Sequence, residues 1–104
     1  MPRNYAPGTP DGIGRHATTV AALPDGSVVV TYHRTAIATR LPNGDIRLDS
    51  GGWDTSTTKR RINQALNAWG SRWGVYQRAF RWYVSHGPDF HANEREFTDG
   101  MVLS

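Results

Sequence analysis

From about residue 17 the chain is built of short β-branched and apolar runs separated by turn signals. Residues 17–23 and 27–33 flank Pro24-Asp25-Gly26, and residues 35–41 and 45–48 flank Pro42-Asn43-Gly44. Asp-Gly and Asn-Gly tolerate the positive φ that tight hairpin turns require. In the fourth run Ile46 and Leu48 alternate with Arg47 and Asp49, so one face is buried and the other wet. The pattern predicts a four-stranded antiparallel meander.

The period then changes. After Ser50-Gly51-Gly52-Trp53-Asp54, where two glycines allow a sharp turn before an aromatic, the residues Ile62, Ala65, Leu66, Trp69 and Trp73 recur at helical spacing, with Arg60, Gln64, Asn67 and Ser71 opposite them. This predicts a helix over about 57–69, capped by Asp54, Thr55 or Ser56 and ended by Gly70. Residues 75–84 are again β-rich and are read as a tight hairpin around 78–81 rather than one long strand. Residues 86–99 are polar and read as loop, and Met101, Val102 and Leu103 as a short edge strand. The fold class expected is α+β, an antiparallel sheet of about five to six hairpin-connected strands packed against one amphipathic helix. Residues 17–104 form the single domain, and residues 1–16, with three prolines and three glycines, an N-terminal surface arm.

Composition narrows the function classes. A chain of 104 residues holds one small core, which excludes a large multi-step enzyme. It has no cysteine, hence no disulfide, thiolate zinc site or cysteine nucleophile, which suits a reducing compartment. No apolar stretch approaches the roughly 20 residues of a membrane span, and no signal peptide is expected. The net charge of +3 is unevenly distributed: residues 1–54 are neutral, residues 55–88 carry +6 with no acid, and residues 89–104 carry −3. Six of the eleven aromatics, Trp69, Trp73, Tyr76, Phe80, Trp82 and Tyr83, fall in the basic block. Interleaved cations and aromatics suit a nucleic-acid or nucleotide surface. The same pattern is met by aromatics in the core with arginines as their solvated rim.

The stretch from Val28 through Thr31-Tyr32-His33-Arg34 to Ile37, and the later Ser50-Gly51-Gly52-Trp53 turn leading through Thr57-Thr58 into Lys59-Arg60-Arg61-Ile62-Asn63-Gln64, carry a resemblance. With Val75-Tyr76-Gln77, Trp82-Tyr83-Val84 and the closing Asp99-Gly100-Met101, the chain resembles a family of small uncharacterised proteins of tailed bacteriophages and prophages over most of residues 12–104. The resemblance implies an origin, the cytoplasm of a phage-infected bacterial host, and brings no catalytic residue with it.

The strongest chemical signal is the helix start, Thr55-Ser56-Thr57-Thr58-Lys59-Arg60-Arg61. Acids are the stabilising choice beside the free amides and positive dipole end of a helix, yet hydroxyls and cations gather there, as they would around a phosphate or carboxylate. The spacing is not that of a P-loop. The plainer reading has the threonines capping, Thr58 packed inward and the cations in solvent or paired with Asp49 and Asp54. Trp53 would either stack on a base or plug the end of the core.

His86, Asp89 and His91 lack the further ligands of a metal site, and no metal or cofactor is expected. His33 with Asp45 or Asp49 would be the only general base to propose for a nuclease, and nothing in the spacing brings them together. The sequence therefore points to a non-enzymatic phage accessory protein. It would bind nucleic acid, mainly the phosphate backbone, through Thr55, Thr57, Lys59, Arg60, Arg61, Arg72 and Arg78, with Trp53 and Trp82 for stacking. The alternatives are a binder of a small nucleotide, for instance a host-defence signal, and a module that occupies a host protein.

Overall fold

The computed structural model of the protein describes residues 17–52, 55–87 and 93–104. The arm expected over 1–16, the residues Trp53 and Asp54, and residues 88–92 lie outside the described residues. The meander forms as the pattern predicts: β1 (Thr18–Ala22), β2 (Val28–Tyr32), β3 (Thr35–Arg40) and β4 (Ile46–Leu48) pair in succession, all antiparallel. Its two Pro-Asx-Gly turns share one mechanism. The positive φ belongs to the glycines, Gly26 at 96° and Gly44 at 94°. Asp25 and Asn43 act instead through their side chains, whose Oδ1 atoms accept from the amides of Ser27 and Asp45 at 2.8 and 2.9 Å. Accepting that bond also lowers the Asp25 carboxyl below its ordinary value.

A bulge between β2 and β3 has a consequence for the core. Val30 pairs with Ala38 but Thr31 pairs with Ala36, so Ile37 is the extra residue. Strict alternation would send one of Ile37 and Ala38 to solvent, and the bulge lets both be fully buried.

The helix α1 (Ser56–Ala68) is capped by Thr55, whose Oγ1 accepts from the Thr58 amide at 3.1 Å. It ends in a Schellman arrangement, with the Ser71 amide on the Leu66 carbonyl at 2.9 Å, the Gly70 amide on the Asn67 carbonyl at 3.1 Å, and Gly70 at φ 69°. Three strands follow in a separate sheet: β5 (Trp73–Arg78), β6 (Arg81–His86) and β7 (Arg95–Glu96). The hairpin predicted around 78–81 is present, whereas the segment expected to be all loop contributes β7, which pairs Glu96 with Tyr83 and Arg95 with Val84. β8 (Met101–Leu103) is the expected edge strand and joins β4.

The α+β class is therefore as expected, with more strands: eight among the described residues, in sheets of five and three. α1 joins the two, packing on β2 and β3 of one sheet and on β5 of the other. Val30, Ile37, Leu48 and Leu103 from the first sheet meet Ile62, Ala65 and Leu66 of α1 and Val75, Trp82 and Val84 of the second in one core. Truncating a fully buried member such as Leu66 to alanine costs about 2–5 kcal/mol.

The turn after β4 is tied to the turn that leads into β8. The amide and hydroxyl of buried Ser50 both donate to Asp99 Oδ1, at 2.8 and 2.7 Å. Gly51, at φ 64°, lies against Thr35, and a Cβ there would come within 2.7 Å of the Thr35 methyl. Glycine is required at this position on both counts.

Candidate nucleic-acid interface

The residues expected to form one binding surface are distributed over three places. At the helix start, Thr55 is the cap and its hydroxyl also meets that of Thr58 at 3.0 Å, while Thr57 is half-buried. Lys59 lies half-buried with its Nζ 3.4 Å from Gln77 Oε1 and 5.9 Å from the centre of the Trp82 ring, at the outer limit of a cation–π contact. Arg60 is exposed. It shares the solvent face of α1 with Ser56, Lys59, Asn63, Gln64 and Asn67, an open shallow surface with no carboxylate.

Arg61 is not available to a ligand in this structure. It is 8% exposed, with Nε donating to Thr18 Oγ1 and Nη1 to Gln64 Oε1, both at 3.2 Å, and so fastens α1 to β1. The cause is helical periodicity: residue 61 shares its face with Thr58, Ile62 and Ala65, all buried. Trp82, expected to be open for stacking, is likewise in the core. The β5–β6 register sets Trp82 opposite Gln77 and Val84 opposite Val75, which turns this face toward α1, and Phe97 closes edge-on against the indole at 5.3 Å.

Arg78 stands on the opposite face of the hairpin. Its guanidinium bonds Glu94 at 2.7 Å and lies 4.6 Å from the Tyr83 ring, and Tyr83 and Tyr76 stack at 6.0 Å. Interaction with Tyr83 and then Glu94 raises the Arg78 pKa, which favours the charged form. The Tyr76 hydroxyl also bonds Glu94. Desolvation first, and the Glu94 hydrogen bond second, push the Tyr76 pKa above its ordinary value.

These contacts explain the uneven charge of the sequence. Glu94 and Glu96 of the acidic tail reach back to Arg78 and Arg81, the latter at 3.6 Å, and neutralise the hairpin. Arg61 is committed to neutral partners. Of the six cations in the basic block, Lys59, Arg60 and Arg72 have no acid partner among the described residues.

Arg72 sits at the far end of α1, beside a pocket that sequence reasoning did not assemble. The pocket, about 280 Å³, is lined by Arg40, Trp69, Arg72, Trp73 and His86 together with apolar and small residues. Trp69 and Trp73 were visible as part of the helical stripe, but Arg40 comes from the neutral half of the chain and His86 from the end of β6. Only the strand pairing brings them together. Of the histidine group considered as metal ligands, His86 is here, and Asp89 and His91 lie outside the described residues. Among the described residues no three His, Asp or Glu side chains gather in a way that would hold a metal, and no helix is long and apolar enough to cross a membrane.

No curated protein and no solved structure matches the chain. A family model does match, over residues 9–104, and it agrees with the phage origin that the sequence resemblance implied. The chain belongs to the Kyanoviridae Gp96 protein family, a family of phage proteins.

Proposed function

We propose that this phage protein is a non-enzymatic accessory protein that binds nucleic acid, mainly through the phosphate backbone, in the cytoplasm of the infected host. The observation that carries the reading is the partition of its cations. The acidic tail neutralises Arg78 and Arg81, and Arg61 is buried, while Lys59 and Arg60 near the start of α1 and Arg72 beyond its end are left without carboxylates among the described residues. α1 has 13 residues and is about 20 Å long, close to the axial rise of six base pairs. The Ser56 hydroxyl and the Asn67 amide lie on the same face as Lys59 and Arg60 and supply uncharged contacts to phosphate and sugar.

Such a surface positions a backbone and reads no bases. Gel retention of random single- and double-stranded DNA and RNA at low salt tests it. The Lys59→Ala, Arg60→Ala double variant is expected to weaken retention of every sequence to a similar extent. Absence of retention of all four probes by the unmodified protein removes the reading.

A further inference from the structure

We propose that the pocket beyond the C-terminal end of α1 is a subsite for one nucleotide unit, its phosphate held by Arg40 and Arg72 and its base against Trp69 and Trp73. The proposal rests on the nucleic-acid reading and gives it a second, concave point of contact that the helix start does not provide.

Charge is the first argument. Arg40 leaves the end of β3 and Arg72 precedes β5, and both line the same concave space. Neither has an acid partner among the described residues, and no Asp or Glu lines the pocket. Like charges gathered around one cavity repel each other, and an anion between them reverses the sign of that interaction. Guanidinium groups favour phosphate in particular, because their planar fork donates two parallel hydrogen bonds to its oxygens.

The second argument is the fixing of an aromatic wall. Trp73 is held by three partners: His86 edge-on at 4.3 Å, the Arg95 guanidinium 5.3 Å from the ring, and a hydrogen bond of 3.1 Å from Nε1 to the Ser104 backbone oxygen. Trp69 is the C-cap residue of α1, and its backbone is held by the helix-ending hydrogen bonds. Both indoles are partly buried against the core, and the part of each that lines the pocket offers a planar base an apolar aromatic wall, with little rotamer freedom left to lose at Trp73. Size sets the limit. At about 280 Å³ the pocket falls just below the usual range for drug-sized ligands, about 300–1,000 Å³, so it takes one base with its phosphate and not a dinucleotide.

Tryptophan emission provides the readout. The full chain is titrated with a nucleoside 5′-monophosphate, with the matching nucleoside lacking phosphate, and with a short single-stranded oligonucleotide, which separates a free nucleotide from a nucleotide within a strand. The proposal predicts quenching by the monophosphate or by the oligonucleotide, and affinity for the nucleoside alone lower by about 10-fold or more. Arg40→Ala and Arg72→Ala should each weaken the quenching ligand by about 10-fold, and Trp73→Phe, which preserves most of the packing, by less. Arg81→Ala, at a cation already paired with Glu96, should leave monophosphate binding unchanged. Melting curves of the variants establish that each is folded.

Oligonucleotide binding that survives Arg40→Ala and Arg72→Ala but is lost in the Lys59→Ala, Arg60→Ala variant overturns the pocket and leaves the backbone-binding reading standing. Monophosphate binding lost in the pocket variants, without any binding of strands, supports the pocket and overturns that reading. No binding of either ligand overturns both.

Discussion

The side-chain amide of Asn63 bonds both backbone groups of Val75, donating from Nδ2 to the carbonyl and accepting at Oδ1 from the amide, each at 2.8 Å. β5 is the edge of its sheet, and at Val75 the helix stands in for the missing strand. Unpaired edge groups next to a core are costly, so one side chain here both satisfies the strand and sets the position of α1 between the sheets.

Asn63→Ala should therefore destabilise the protein by about 2 kcal/mol, since it leaves a part-buried N–H and C=O without partners. Asn63→Asp is the sharper comparison. Its carboxylate still accepts from the Val75 amide but opposes the Val75 carbonyl, so it should recover little of the loss. Denaturant melts of the two variants check this, and equal stability of Asn63→Ala and the unmodified protein would remove the role assigned to the pair.

A second expectation concerns the tip of the β5–β6 hairpin. The two-residue turn, Ala79 and Phe80, has positive φ at both positions, 52° and 68°. Such turns favour Asn-Gly, because a residue with a Cβ is strained in the left-handed region. Phe80 is also 96% exposed, so its ring contributes no burial in return. Replacing the pair by Asn-Gly should raise stability by about 1 kcal/mol, or roughly 5 °C in Tm. A calorimetric scan showing a lower Tm would mean that the phenyl ring makes contacts the turn geometry does not account for.

Alkaline pH should expose the Tyr76–Glu94 contact. The Tyr76 pKa is raised in the folded protein by desolvation and by Glu94, so between the unfolded and folded values the native state binds more protons than the unfolded chain. The contribution is complete below the ordinary tyrosine value of about 10 and is lost as pH rises through the folded value, where a phenolate would face the Glu94 carboxylate. Stability measured from pH 8 to 11 should fall more steeply for the unmodified protein than for Tyr76→Phe. Parallel profiles would contradict the assignment.

The elements governed by local rules were legible in the sequence. Gly26 and Gly44 mark the two turns of the meander, Ile62, Ala65 and Leu66 mark the inner face of α1, and Thr55 and Gly70 mark its ends. The candidate site was legible only in part. Arg60 keeps the exposed position its spacing suggested and Lys59 is half-buried, but the cluster Lys59-Arg60-Arg61 was read as one basic block although residue 61 shares the buried face of Thr58 and Ala65. The neutralisation of Arg78 and Arg81 could not be read locally, because it depends on the tail returning to β6. The same holds for Asn63 and for Arg40. Their partners are set by strand order and by the split into two sheets, which hydrophobic period does not encode.

The most direct test of the central claim is the salt dependence of nucleic-acid affinity, measured by fluorescence anisotropy with a labelled random duplex and a labelled random single strand. If Lys59, Arg60, Arg72 and Arg40 together displace counterions, log K should fall linearly with log salt with a slope of about −3 to −4 for the duplex and somewhat less for the single strand, roughly 100-fold between 50 and 200 mM. The Lys59→Ala, Arg60→Ala variant should reduce the slope by about 2. Affinity that does not change with salt, or no binding at 50 mM, would contradict the account.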